Sequence, residues 1–180
     1  MHLIGLAGLA GSGKDTVADY IAMSGDFQRI AFADPLKRVA LFLCGLTRQD
    51  VTDRTRKETV LPEWGLSPRQ IMQRLGTEVG RQIHSELWVR HLDRTIQRDA
   101  GRNWIITDCR FRNEIAYVRR QGGTVWWVNR PSVTPVSDHA SERHVTADDC
   151  DLVIENSGTL DELRNLVSLA LFLQDEWKSA

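Results

Sequence analysis

Residues 3–16 read Leu3-Ile4-Gly5-Leu6-Ala7-Gly8-Leu9-Ala10-Gly11-Ser12-Gly13-Lys14-Asp15-Thr16. Leu3, Ile4, Leu6 and Ala7 make an apolar run that suits a buried strand. Gly5, Gly8, Gly11 and Gly13 turn that run into a loop, and helical spacing follows at once, with Val17, Ala18, Ile21 and Ala22 on one stripe. Gly8, Gly13 and Lys14 satisfy G-x-x-x-x-G-K, the spacing of a phosphate-binding loop. Glycines let the backbone fold into a concave nest whose N–H groups point at phosphate oxygens. A helix starting near Lys14 adds the positive end of its dipole. Lys14 can then reach the β- and γ-phosphates of a nucleotide.

The motif carries one departure. Asp15 stands where a Ser or Thr usually follows the lysine, and the hydroxyl comes one place later, at Thr16. The Mg2+ contact at this position is therefore open. A plain tight turn would explain glycines but not the lysine. A dinucleotide fold would use an acid such as Asp34, about 20 residues beyond the loop. The glycines, however, read G-x-x-G-x-G, and Lys14 would have no role there.

At 180 residues the chain is expected to form one domain with a real core. Hydrophobic residues at 42% and charged residues at 26% suit a globular protein, and a net charge of −1 gives no nucleic-acid footprint. Arginines greatly outnumber lysines, and a planar guanidinium suits bidentate phosphate contacts. Cys44, Cys109 and Cys150 are odd in number and widely spaced, which indicates neither a disulfide framework nor a zinc site. No apolar run approaches the roughly 18–20 residues of a membrane span, and no basic leader precedes the first strand. A reducing cytoplasm is expected.

Outward from the loop, strands alternate with helices. Strands are expected at 2–7, 27–32, 103–108, 124–129 and 152–155. Helices are expected at 14–23, 34–44, 67–75, 87–98, 113–120 and from 159 onward. Asp34 reads as an N-cap and Pro35 as the first helical residue. Lys37 then lies in a first turn, where the dipole disfavours a cation unless an anion is near. Residues 46–65 are poorly periodic, and the charge run 53–58 reads as a solvated segment. Ser67-Pro68 opens a helix that Gly76 should end. Asp108 closes a buried strand, where α/β sheets place ligands. The polar stretch 132–149 has the length of a binding loop. Its His139, Glu142 and His144 match no standard metal spacing. Thr159 and Glu162 form a capping box, and Leu163, Leu166, Val167 and Ala170 should face the core. The alternation predicts an α/β fold, a five-stranded parallel sheet with helices on both faces, with a mostly helical insertion over 46–98.

Beyond the loop, further blocks carry a resemblance. They are Phe32-Ala33-Asp34-Pro35-Leu36-Lys37, Ile71-Met72-Gln73-Arg74-Leu75-Gly76-Thr77-Glu78, Trp88-Val89, Thr107-Asp108-Cys109-Arg110-Phe111-Arg112-Asn113-Glu114, Asp138-His139-Ala140-Ser141-Glu142 and residues 154–163. With these the chain resembles the bacteriophage-type deoxynucleoside monophosphate kinases of the P-loop kinase superfamily, over nearly its whole length. G-K-x-T is the arrangement of small nucleotide kinases. The resemblance implies transfer of a phosphoryl group from ATP, with Mg2+, to a deoxynucleoside 5′-monophosphate. Gly11, Ser12, Gly13, Lys14, Asp15 and Thr16 would hold the ATP phosphates. Leu36 and Lys37 would lie against the monophosphate, and Arg69, Gly76, Thr77 and Trp88 would belong to the acceptor pocket. Asp108, Arg110 and Glu114 would line the junction of the two sites. Thr16 and Asp108 would serve the metal. Arg130 and the loop to 149 would form a lid. Lys14, Asp108, Arg110 and Arg130 are the implied catalytic set. Some relatives carry basic residues where this chain has Ala10 and Gly11.

The implied partner is a small-molecule deoxynucleotide, without nucleic acid or membrane, and a homodimer is left open. A phage-encoded enzyme would work in the host cytoplasm. Two other functions share the loop. One is a small-molecule kinase of the dephospho-coenzyme-A or modified-nucleotide type. The other is a nucleotide-binding module without turnover, against which the intact loop and Asp108 argue.

Overall fold

The computed structural model describes residues 1–25, 27–134 and 145–179. The His139, Glu142 and His144 group, and residues 135–144 of the expected lid, lie outside them. The chain divides into two compact units, Met1–Ala31 with Ile96–Ala180, and Phe32–Thr95.

The first unit holds the sheet. The strands are β1 (Leu3–Ala7), β2 (Phe27–Ile30), β3 (Asn103–Cys109), β4 (Thr124–Asn129) and β5 (Leu152–Glu155). They lie in the order β2-β3-β1-β4-β5, and every pairing is parallel. β1 is central and its residues are all buried. Alternation along it decides what packs where. Ile4 and Leu6 join Ile105, Trp126, Val128 and Ile154 in a core that α1 (Lys14–Ser24) and α9 (Leu160–Ser179) cover with Val17, Ala18, Ile21, Leu163, Val167 and Ala170. Gly5 points to the other face. A Cβ there would meet Cys109 Sγ at 2.8 Å and Val118 of α8 (Arg112–Arg120) at 3.2 Å. Helices thus cover both faces, as the alternation requires. Leu166 departs from expectation: it is 39% exposed, one step off the buried stripe of α9.

The second unit is helical. It contains α2 (Asp34–Cys44), α3 (Arg48–Thr52), α4 (Arg54–Glu58), α5 (Pro68–Gln73), a π-helical stretch Arg74–Gly80, and the short α6 (Arg81–Ile83). The helix α7 (Leu87–Gln97) follows. Ala40, Leu46, Val51 and Ile71 form the small core, with Leu41, Leu61, Leu66, Met72 and Leu75 against it. Asp34 is the first residue of α2 and Ala33 occupies the cap position, so Asp34 is no N-cap. Its carboxylate instead pairs with Lys37 Nζ at 3.2 Å and supplies the anion that a first-turn lysine needs. The stretch 46–65 is less irregular than its periodicity suggests. Thr47 caps α3 and Asp53 caps α4, which lets two five-residue helices form without long apolar stripes. Gly76 does not end the helix opened by Ser67. The chain passes through Gly76 in π-helical form, because Gly76 and Gly80 give Leu36 and Trp88 room to pack directly on the backbone.

Among the described residues no helix is long and apolar enough to cross a membrane. Burial pushes the Cys109 thiol well above its usual range, and the Glu114 and Asp108 carboxylates push it the same way. Burial likewise lifts Cys150 to about 12.

Asp50 anchors the second unit. Its carboxylate accepts from Thr47 N at 2.8 Å, from Thr47 Oγ1 at 2.6 Å and from Arg56 Nε at 3.0 Å. The Thr47 hydroxyl and amide hold its pKa below the ordinary carboxylate value, and Arg56 adds to this. A depressed folded-state pKa stabilises the fold above the unfolded-state value, about 3.9, and that contribution disappears as pH falls through the folded-state value. Asp50→Asn should therefore melt at a lower temperature than the parent at pH 7. The gap should narrow between pH 7 and about pH 3, which lies below the unfolded-state value, where the unfolded chain takes up the proton first. Thermal melts of both proteins at the two pH values check this, and a pH-independent gap contradicts it.

Candidate active site

The carboxyl ends of β1, β3, β4 and β5 lie along one edge of the sheet, where an open α/β fold places its ligands. Beyond β1 the chain turns through Gly8, Gly11 and Gly13, at φ +134°, +88° and +100°. Side chains are disfavoured at those angles. Space excludes them as well. A Cβ on Gly8 would fall 2.5 Å from the Val128 carbonyl oxygen, and one on Gly13 would fall 2.3 Å from Asn156 Nδ2. Lys14 opens α1, and among the described residues no side chain caps that helix end. Its ammonium reaches back across the loop to the carbonyls of Gly8 and Leu9, each at 2.7 Å. Ser12 Oγ is buried in the loop with no hydrogen-bond partner among the described residues. Thr16 is half-buried one helical position beyond the exposed Asp15, which pairs with Arg29 at 2.7 Å.

Asp108 lies in an irregularity that no sequence pattern announces. Gly5 pairs with Ile106, but Ala7 pairs with Cys109, so β3 carries one extra residue opposite Leu6. A bulge of this kind re-aims the side chains that follow it. Asp108 is half-buried there and Cys109 is buried. Arg110 follows the strand. Its backbone N–H donates to Glu114 Oε2 at 2.7 Å, and the Phe111 N–H donates to the same oxygen at 3.1 Å. Glu114, only 3% exposed, thus shapes the turn between β3 and α8. That is a structural duty beside whatever else its carboxylate does. Arg130 is exposed just after β4.

The other sequence-derived candidates lie in the helical unit. Leu36 packs on Gly76, where a Cβ would meet its Cδ2 at 2.8 Å. Trp88 Nε1 donates to the Gly76 carbonyl at 2.8 Å, and its ring packs so closely on Gly80 that a Cβ would fall 2.5 Å from Cζ2. Gly76, Leu36 and Trp88 therefore form one cluster around the π-helical turn, with Thr77 next in the chain. π-Helical turns recur at functional sites. Arg69 pairs with Glu58 and stands apart from that cluster by its partner. Lys37 pairs with Asp34.

A family model described as "Deoxynucleotide monophosphate kinase" matches residues 46–167. The chain is 31% identical to a putative deoxynucleotide monophosphate kinase of Acanthamoeba polyphaga mimivirus, over 90% of this chain and 92% of that protein. The chain belongs to the deoxynucleotide monophosphate kinase family. It is also 27% identical to the deoxynucleoside-5′-monophosphate kinase of Escherichia phage T5, over 81% of this chain and 85% of that one. Among solved structures, the dephospho-CoA kinase of Campylobacter jejuni superposes with a TM-score of 0.53 and 15% identity, covering 99% of this chain and 100% of that chain. At that identity the likeness concerns the fold, which is that of the P-loop kinases.

One residue of this edge escaped the sequence reading. Asn156, directly after β5, is 8% exposed and donates from Nδ2 to the Ser12 carbonyl at 2.7 Å. Its signal in sequence was a polar side chain immediately following a strand whose end faces the loop. The role of Glu114 yields a prediction. Glu114→Ala leaves the Arg110 and Phe111 N–H groups without their acceptor and should lower unfolding stability by about 1–3 kcal/mol, measured by denaturant titration. No measurable change would place those amides in solvent instead.

Proposed function

We propose that this chain transfers the γ-phosphoryl group of ATP to a deoxynucleoside 5′-monophosphate, giving ADP and the deoxynucleoside diphosphate. One observation carries the proposal. A glycine loop, with Lys14 reaching back across it, leaves the central strand at the sheet edge of a chain from this kinase family. Phosphoryl transfer needs positioning and charge neutralisation more than covalent chemistry. In this reading the N–H groups of Gly11, Ser12, Gly13, Lys14, Asp15 and Thr16 bind the ATP phosphates. Lys14 gives up its two loop carbonyls for phosphate oxygens. Arg110 and Arg130 offset charge that gathers on the transferred group.

The acceptor is itself a phosphate anion, so a strong general base is unnecessary. An oxygen of the monophosphate attacks the γ-phosphorus as the bond to the β,γ-bridging oxygen breaks. Asp108 orients the acceptor or a metal-bound water. Leu36, Lys37, Arg69, Gly76, Thr77 and Trp88 hold the acceptor in this proposal. Trp88 suits an aromatic surface for the base, since its indole is oriented by Gly76 and Gly80.

The donor set fits Mg2+ carried with the nucleotide. Among the described residues no three His, Cys, Asp or Glu side chains converge on a metal position. Mg2+ is commonly held by substrate phosphates, water and one or two carboxylates. The Thr16 hydroxyl and Asp108 carboxylate would hold it here. When bound, it neutralises phosphate charge and orients the phosphates. The virus-encoded relatives support work in a host cytoplasm, where such monophosphates are found.

Coupled ADP formation with Mg-ATP, run against deoxy- and ribonucleoside monophosphates, tests the proposal. Stimulation by one or a few deoxynucleotides is expected, with the diphosphate confirmed as product. Lys14→Ala should lose turnover by about 10²-fold or more with an unchanged circular dichroism spectrum. Turnover retained in that variant would overturn the role of the loop.

A further inference from the structure

We infer that Asn156 is a positioning residue for nucleotide phosphate, acting through the Ser12–Gly13 peptide. The inference rests on the kinase proposal only in naming the nucleotide.

The argument is geometric. The described chain contains no cis peptide bond. In a planar trans peptide the C=O and the following N–H point in opposite directions. Asn156 Nδ2 holds the Ser12 carbonyl at 2.7 Å, so the Gly13 N–H is turned away from Asn156. Only the amide nitrogen can donate to that carbonyl, which fixes the orientation of the Asn156 side chain. Gly13 then takes φ +100° directly before α1. A left-handed residue before a helix brings successive N–H groups toward one point and forms an anion nest. Asn156 thus sets the direction of an amide that would meet phosphate, without touching phosphate itself.

Asn156 is itself held firmly. Its backbone N–H donates to the Asn129 carbonyl at 2.7 Å. Asn129 Nδ2 in turn donates to both carboxylate oxygens of Glu155, at 2.9 and 3.2 Å. The ends of β4 and β5 are locked together there, one residue before Arg130. The same contact explains why Gly13 must be glycine, since a Cβ would displace the Asn156 amide. A structural tie alone would have served with any donor. Here the donor acts on the peptide that joins the buried Ser12 to Gly13, the residue before the first helical lysine.

The test compares Asn156→Asp and Asn156→Ser with the parent. The carboxylate repels the Ser12 carbonyl, and the serine hydroxyl is too short to span the contact. Both keep the backbone bond to Asn129. Calorimetric binding of Mg-ADP is the first readout, so the result does not depend on which acceptor is turned over. Affinity should fall about tenfold or more, and further for aspartate than for serine. KM for ATP should rise while KM for the acceptor stays at the parent value. Parent-like nucleotide affinity in a folded variant overturns the inference. Failure of the parent to turn over any monophosphate overturns the kinase proposal and leaves this comparison intact. Amide exchange on the parent protein covers the case in which neither variant folds. The Asn156 side-chain protons should be protected in free and Mg-ADP-bound protein alike, and the Gly13 amide should gain protection on binding. Rapid exchange of the Asn156 protons in both states overturns the inference.

Discussion

Between Ala7 and Lys14 the backbone runs so close to the ends of β4 and β5 that it cannot carry side chains at Gly8 or Gly13. The Val128 carbonyl closes one side and the Asn156 amide the other. This close approach fixes the loop, and much else follows from it. β1 has β4 beside it and β5 beyond, so the turn that leaves β1 runs past the ends of both strands. The turn must end in a helix, because the loop is complete only when the amino end of α1 adds its N–H groups and dipole. The lysine must open that helix, because from there its side chain can span the loop back to Gly8 and Leu9.

The sheet edge shows a division of labour among polar groups. Glu114 and Asn156 are both almost fully buried, and both spend hydrogen bonds on backbone atoms of loops that follow strands. Glu114 accepts from the turn after β3, whereas Asn156 donates to the turn after β1. Each choice matches the backbone group that faces it. Such groups cost stability if left unpaired, so buried polar side chains at the ends of strands keep loop geometry within narrow limits. These bonds fix the backbone at Arg110 and at the Ser12–Gly13 peptide.

Much of this was legible in the chain. The glycine loop between β1 and α1 was legible because glycine, lysine and the change from strand to helix periodicity are local signals. The strands were legible because buried apolar runs with turns at each end are local too, and all five appear close to their expected bounds. The misses share a cause, which is that they depend on contacts between segments far apart in sequence. Nothing near Gly76 tells that Leu36 and Trp88 will press on it and its neighbour Gly80, so a glycine that reads as a helix stop lies inside a π-helical turn. Nothing near Asp108 reveals the bulge, since it is defined by the register against Gly5 and Ala7. The two short helices after Thr47 form through caps and the buried Asp50, which the period of apolar residues does not report.

Asn156 marks the point where the two kinds of legibility meet. Its sequence block was visible as a resemblance, yet its partner lies 144 residues away. A resemblance says that a residue belongs to a pattern; only the fold says what it touches. Here the contact gives the residue a reason. A loop built from glycines is free to fold in many ways, and Gly loses more conformational freedom on ordering than any other residue. A single donor placed on the Ser12 carbonyl removes much of that freedom. In the phosphate-binding role proposed for it, the loop would meet its ligand with its amides already aimed, the same preorganisation that makes fixed dipoles effective in charge stabilisation.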